Sequence, residues 1–205
     1  MGGPRRTGRT MEIAVIGTGF IGGTLGRSLA AAGHRVTFGS RHPADDDVAQ
    51  GTGATTASVT DALAAADVVL LALPGAAVSE LVADHAGAPA GKLVIDATNR
   101  MGARVANSRA DLSPGTRYAR AFNTLGGENM ASPVFDDGPA DMFFSSSDAD
   151  RETVETVIAG VGLRPVFVGA DQEELVDSLF RLWIALAITQ GRGRRLAFRL
   201  LEGTG

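Results

Sequence analysis

The chain has 205 residues, a formal net charge of −4, 44% hydrophobic and 20% charged residues, and no cysteine. That length suits one well-buried domain rather than two full-sized ones, and the composition is ordinary for a globular protein. A mildly acidic chain lacks the basic field of a general nucleic-acid binder, and no apolar run approaches the ~20 residues that span a bilayer. Disulfides, thiol catalysis and cysteine-ligated metals are excluded.

Residues 1–10, "MGGPRRTGRT", carry arginines without the apolar segment of a secretory signal. They are expected to form a flexible tail, with Met11 an alternative start and a cytoplasmic location the default. Beyond them, short apolar runs at 12–16, 35–39, 68–73, 93–97, 117–122, 141–145 and 164–168 read as strands. They alternate with amphipathic stretches at 21–32, 59–66, 77–85 and 151–161. Runs such as "DVVLLAL" and "KLVID" are continuously apolar, as strands covered on both faces must be. Strand–helix alternation of this kind predicts an α/β fold with a doubly wound, mostly parallel sheet over residues 11–170. From 171 to 205 the pattern is helical: "QEELVDSLFRLWIALAIT", a break at Gly191 and Gly193, then "GRGRRLAFRLL" as a second helix. Leu175, Leu179, Leu182 and Leu186 fall at helical spacing. This short helical extension is expected to pack on the main domain or on a partner subunit, and a homodimer is the simplest assembly that would cover an apolar tail.

Within "EIAVIGTGFIGGTLGRSLAAAGHRVTF" stands Gly17-Thr18-Gly19-Phe20-Ile21-Gly22. The G-x-G-x-x-G spacing alone is weak, but here it follows a strand, opens a helix and precedes another strand, which is the context of a dinucleotide-binding Rossmann unit. Gly17 allows the tight turn, Gly19 lets the backbone approach a pyrophosphate, and Gly22 permits close helix–strand packing. The helix start favours the anion. A glycine-rich turn without a ligand is the alternative.

An NAD-binding unit carries an acid about 20 residues further on to hold the adenosine ribose. The end of the second strand here is "TFGSRHP", with Ser40 and Arg41 in that place and the acids Asp45, Asp46 and Asp47 only beyond His42-Pro43. A hydroxyl and a guanidinium fork suit a 2′-phosphate, so NADP(H) is expected over NAD(H). A solvated loop arginine is the other reading of Arg41.

With these residues in hand, "MEIAVIGTGFIGGTLGRSLAAAGHRVTFGSRHP", "DVVLLALPGAAV", "KLVIDATNR" and "ARAFNTLGGENM" resemble the NADPH-dependent coenzyme F-420 reductase-like family, related to the N-terminal domain of pyrroline-5-carboxylate reductases. The resemblance covers residues 11–202. It implies a Rossmann fold, NADP(H) as cofactor and coenzyme F-420 as the named acceptor. The longer helical dimerisation domain of pyrroline-5-carboxylate reductases has no room in this chain.

Ligands of a parallel sheet sit beyond the carboxyl ends of its strands. Those ends offer Leu73 and Pro74 as apolar walls, and Thr98, Asn99, Asn123 and Thr124 as neutral hydrogen-bonding groups for a carboxamide or an acceptor atom. Loop satisfaction is the alternative for each Asn. Asn99, Asn123 and Thr124 are the candidates nearest the chemistry, although no residue is assigned as a catalytic acid or base. Hydride transfer between two bound molecules needs distance and orientation above all, whereas ketone reduction ordinarily wants a proton donor. His34, His42 and His85 show no metal-ligand spacing, so no metal is expected. Arg181, Arg192, Arg194, Arg195 and Arg199 form a basic cluster that suits either the acidic tail of a deazaflavin or the solvated surface. Trp183 reads as core or interface packing.

Three functions remain open at this stage. The first is an NADPH-dependent oxidoreductase passing hydride to or from a small cyclic acceptor, with coenzyme F-420 the candidate. The second is a stand-alone imine or carbonyl reductase, and the third a non-catalytic NADP(H)-binding redox sensor. In each the partner is a small molecule, not a nucleic acid or a membrane.

Overall fold

In chain order the elements are β1 (Glu12–Ile16), α1 (Phe20–Ala31), β2 (Arg35–Ser40), β3 (Thr55–Ser58), α2 (Val59–Ala65), β4 (Val68–Leu71), α3 (Val78–Asp84), β5 (Leu93–Asp96), β6 (Arg117–Arg120) and α4 (Gly127–Ala131). A small hairpin of β7 (Val134–Phe135) and β8 (Gly138–Pro139) follows, then β9 (Asp141–Ser146), α5 (Arg151–Gly160), β10 (Arg164–Phe167) and α6 (Glu173–Ile184). This is a computed structural model that describes residues 9–203 apart from 86, 88, 89, 101, 104 and 105, so most of the expected tail at 1–10 lies outside the described residues.

The main sheet has eight strands in the order β10-β9-β6-β5-β4-β1-β2-β3. From β3 to β6 every neighbouring pair is parallel. β9 then joins β6 antiparallel through Ala119↔Ser146 and Arg120↔Ser145, and β10 runs parallel to β9. The chain is therefore the α/β, mostly parallel Rossmann sheet that the strand–helix alternation predicts.

Side chains of successive strand residues point to opposite faces, and the core divides accordingly. Ile13, Val15, Val68, Leu70, Leu93 and Ile95 pack on one face with Leu25 and Leu29 of α1 and Val154 and Val157 of α5. Ala14, Ile16, Val69, Leu71 and Val94 pack on the other with Ala62 and Leu63 of α2 and Val78 of α3. Both faces are covered, which is why these strands carry no polar alternation.

Local chemistry sets the boundaries. Ser58 caps α2 by accepting the Asp61 N–H at 3.1 Å. α6 has Glu173 and Glu174 in its first turn and Arg181 in its last, as the helix dipole favours. The strand expected over 117–122 stops at Arg120, because Phe122 turns into the left-handed region at φ 60°.

One expectation needs correction, and two features were not announced by the sequence. The short edge strand β3, "TTAS", is partly exposed and has no apolar run to announce it. The helix break at Gly191 and Gly193 is present, with φ of 67° and 85°, but "GRGRRLAFRLL" is not a second helix. After a π-type turn over Ala185–Thr189 the chain runs on as an irregular strap. Its backbone groups are taken by distant partners: Trp183 Nε1 donates to Leu196 O at 2.8 Å, Asn129 Nδ2 to Arg194 O at 2.8 Å, and Asp141 N to Phe198 O at 3.2 Å. Those bonds replace the i→i−4 ladder of a helix. Finally, of the leucines at helical spacing Leu175 and Leu182 are exposed and Leu179 and Leu186 half-buried, while Val176, Asp177, Phe180 and Trp183 are buried.

Candidate active site

The carboxyl ends of β1, β2, β4, β5 and β6 lie at one end of the sheet, and the candidate cofactor-site residues Gly17–Gly22, Ser40, Arg41, Leu73, Pro74, Thr98, Asn99, Asn123 and Thr124 fall there. The β1–β2 register, Ile16↔Gly39, sets the glycine loop beside Ser40 and Arg41. Gly17 has φ +115°, and a Cβ on it would stand 2.4 Å from Ala72 O. A Cβ on Gly22 would stand 1.8 Å from Gly17 O. No other residue type fits either place, and the loop is thereby pressed against the turn after β4.

Gly19 is different. It precedes α1, and a Cβ there would meet nothing within 4 Å. The head of a twelve-residue helix therefore opens on clear space, with first-turn N–H groups that have no partner within the helix. That space is what a pyrophosphate needs to reach the amides, so the residues present fit a dinucleotide. Thr18 is half-buried, Phe20 is exposed, and Ile21 is partly buried against the core. Phe20 and Ile21 crowd Gly127 at the start of α4, where a Cβ would fall 2.7 Å and 2.5 Å from their side chains.

At the end of β2, Ser40 is buried and Arg41 exposed. The Ser40 hydroxyl accepts the His42 N–H at 3.1 Å. Leu73 is half-buried and Pro74 exposed. The turns after β4, β5 and β6 are stitched together: Arg100 Nη2 donates to Gly75 O at 3.1 Å, and Asn99 Nδ2 to Asn123 O at 3.2 Å.

Beneath these turns lies a polar core whose central members the sequence reading passed over. Arg120, at the end of β6, is fully buried. Its Nε donates to Asp177 Oδ1 of α6 at 2.8 Å, Nη1 to Asp96 O at 3.0 Å and Thr98 O at 2.6 Å, and Nη2 to Asn99 Oδ1 at 3.1 Å. Asp96 accepts from Thr98 N at 2.8 Å, Ser108 N at 2.7 Å and the Tyr118 hydroxyl at 2.7 Å. Both its oxygens act as acceptors. Burial, and next the charge of Asp96, push the Tyr118 hydroxyl far above its usual range. Asp177 also accepts from Ala106 N, Asn107 N and Asn107 Nδ2, the last at 2.8 Å. The available signal was a charge inside each of two apolar runs, "YARAF" and "LVDSLF".

Thr98 is buried, with its hydroxyl 2.8 Å from that of Ser108. Thr124 is buried and donates to Met142 Sδ at 3.6 Å. Asn123 is buried, with Nδ2 donating to Asp177 Oδ1 at 3.3 Å, while its Oδ1 has no partner. A buried acceptor left open calls for an explanation.

Two arginines of the basic cluster hold the strap. Arg194 pairs with Glu128, and Arg195 donates to Ser132 O at 2.5 Å and Val134 O at 2.7 Å. Burial acts upward on the Glu128 carboxyl, but the bond from Arg194 holds it below the usual value. Elsewhere a cleft of about 410 Å³, lined by residues including Arg9, Asp67, Arg117 and Glu152, opens at the amino ends of the strands. That is the opposite end from the one where parallel sheets bind ligands. Among the described residues no group of His and acidic side chains could hold a metal ion, and no helix is long and apolar enough to cross a membrane.

Comparison with known proteins agrees with this geometry. Residues 12–100 match the family model described as "NADP oxidoreductase coenzyme F420-dependent". A structure provisionally described as an F420-dependent NADP reductase from Arthrobacter sp. FB24 superposes with a TM-score of 0.80 at 25% identity, covering 94% of this chain and 100% of that one. A hypothetical protein from Sinorhizobium meliloti gives 0.68 at 27% identity, over 95% and 97%. An imine reductase from Aspergillus terreus, solved with NADPH4 and dibenz[c,e]azepine, shares the fold at 0.66 and 22% identity, over 89% of this chain but 63% of that one. Residues 12–100 are thus similar to the NADP oxidoreductases that this family model describes, and the chain shares its Rossmann fold with the oxidoreductases named above.

Proposed function

We propose that this protein transfers hydride between NADP(H) and a small cyclic acceptor of the deazaflavin type, such as coenzyme F420. The observation that carries the reading is the open head of α1 at Gly19, set beside Ser40 and Arg41. Gly17 to Gly22 would hold the pyrophosphate, and Ser40 and Arg41 the 2′-phosphate. Leu73 and Pro74 would wall the nicotinamide, and the open Asn123 Oδ1 would accept from its carboxamide, with Thr98, Asn99 and Thr124 shaping the floor. When bound, NADPH supplies a hydride; the acceptor takes that hydride and one solvent proton, a two-electron reduction.

The polar groups beside the strand ends support a reaction governed by position. Asp96 and Tyr118 are bonded to each other, and Asn99 to Arg120 and Asn123. A deazaflavin can take its proton from solvent, whereas a ketone ordinarily wants a protein acid beside the oxygen that is protonated. The test is absorbance of the deazaflavin band on mixing purified protein with NADPH or NADH. Bleaching with NADPH, and much less with NADH, is expected. Tight NADPH binding with turnover of cyclic imines but not of deazaflavin would replace this reading with an imine reductase, and binding without any turnover would leave a sensor.

A homodimer is part of the same proposal. It is supported by Leu175, Leu182 and Ile188, which are exposed on α6 and the turn after it. Sedimentation velocity would report twice the chain mass, and Leu182→Glu would shift it to the monomer.

A further inference from the structure

The buried pair of Arg120 and Asp177 touches both asparagines of the site, and its two halves differ in what they offer. A guanidinium only donates hydrogen bonds and a carboxylate only accepts them. Arg120 Nη2 therefore faces the side-chain oxygen of Asn99, at 3.1 Å, which directs the Asn99 amino group to Asn123 O at 3.2 Å. Asp177 Oδ1 faces the amino group of Asn123, at 3.3 Å, and takes Arg120 Nε on the same oxygen at 2.8 Å. Asn123 is 1% exposed, and its other end, Oδ1, has no partner. Turning this amide over would set its oxygen against the carboxylate and take the amino group from its acceptor. Asp177 is itself held in place, because its Oδ2 accepts from Ala106 N and Asn107 N at 3.2 Å and from Asn107 Nδ2 at 2.8 Å.

We propose that Asp177 is a positioning residue of the nicotinamide subsite: it fixes the Asn123 amide with its oxygen free, so that the subsite selects a pyridine ring whose 3-substituent brings an N–H. The inference rests on the reading of Asn123 Oδ1 as the acceptor for the nicotinamide carboxamide. It narrows the ligand to a pyridine dinucleotide with a primary amide, in preference to one with a 3-acetyl group. An acetyl group offers that point only a methyl or a carbonyl oxygen. Against a fixed acceptor it leaves Asn123 Oδ1 buried and unpaired, or sets two oxygens face to face. A pair that did no more than tie β6 to α6 would set stability and leave this selectivity alone.

The experiment is calorimetric titration of wild type, Asp177→Asn, Arg120→Met/Asp177→Leu and Asn123→Ala with NADP+, its 3-acetylpyridine analogue and 2′,5′-ADP. The last has no pyridine ring and reports the other end of the site, while thermal melts report folding. Wild type is expected to bind NADP+ at least about tenfold tighter than the acetylpyridine analogue. In Asp177→Asn the three N–H groups on the Oδ2 side keep the remaining oxygen there, and an amino group takes the place of Oδ1. Asn123 then turns its oxygen inward and its amino group to the ring. The preference should fall to within about twofold, chiefly through tighter binding of the acetyl analogue, with 2′,5′-ADP unchanged. Arg120→Met/Asp177→Leu removes the carboxylate without leaving a buried charge, so the same loss of preference is read even where Asp177→Asn does not fold. A folded variant of either kind that keeps the wild-type preference overturns the proposal. If Asn123→Ala abolishes the preference while the Asp177 variants keep it, only this inference fails; if wild type shows no preference between the two rings, the carboxamide reading of Asn123 falls with it.

Discussion

Arg120 and Asp177 meet at 2.8 Å with both side chains shut off from solvent. The contact ties the end of β6 to the middle of α6, and through Asn107 and the Ala106 and Asn107 amides it also fastens the segment after β5. Removing one partner leaves the other charged and buried. Asp177→Ala should cost about 3–5 kcal/mol, read as a lower urea midpoint. The double variant Arg120→Met/Asp177→Leu should recover part of that loss, since apolar replacement of a buried pair is often tolerated.

Gly19 and Gly22 separate binding from folding. Gly19→Ala meets empty space and keeps an ordinary φ of −70°, so it should melt like wild type yet lose most of its NADPH affinity. Gly22→Ala drives a methyl into Gly17 O and should lose at least ~2 kcal/mol of stability. Thermal melts with and without NADPH distinguish the two.

Arg41→Ala should weaken NADPH roughly 10- to 100-fold, the range of one or two lost charge-assisted hydrogen bonds. NADH should stay within about twofold, because it has no group for the guanidinium to hold.

Trp183→Phe removes the donor to Leu196 O while keeping an aromatic ring. A cost of about 1 kcal/mol is expected, together with faster hydrogen exchange across residues 194–200 and little change in the sheet.

His34 gives the pH dependence. Burial lowers its pKa from 6.5, and its Nδ1 accepts from Met11 N at 3.3 Å. A depressed folded-state pKa means that the unfolded chain takes up the proton first. This contribution to stability is therefore intact above about pH 6.5 and falls away as the pH drops through the lowered folded value. Urea midpoints of wild type and His34→Gln, compared at pH 7.5 and 5, should converge at the lower pH.

The parallel core was legible because doubly covered strands must be apolar, and "DVVLLAL" has no other economical reading. The glycine loop was legible because steric demands at Gly17 and Gly22 leave one residue type. What escaped detection was set by tertiary partners. β3 exists through pairing with β2, not through its own pattern. "GRGRRLAFRLL" has helical composition, but Asn129, Trp183 and Asp141 hold its backbone elsewhere. The leucine spacing on α6 was a true helical signal, but spacing alone assigns no face: Asp177 points inward because Arg120 is there to meet it.

The reversal of direction at β9 has a practical side. Because β9 runs against β6, its carboxyl end and the turn into α5 emerge at the amino ends of β4 to β6, where Arg117 pairs with Asp150. Ser147, Asp148 and Ala149 are exposed there. A fluorescent label or an affinity peptide inserted at Asp148 would therefore stand at the far pole of the molecule from the glycine loop, giving a handle for immobilisation that leaves the nucleotide entrance clear.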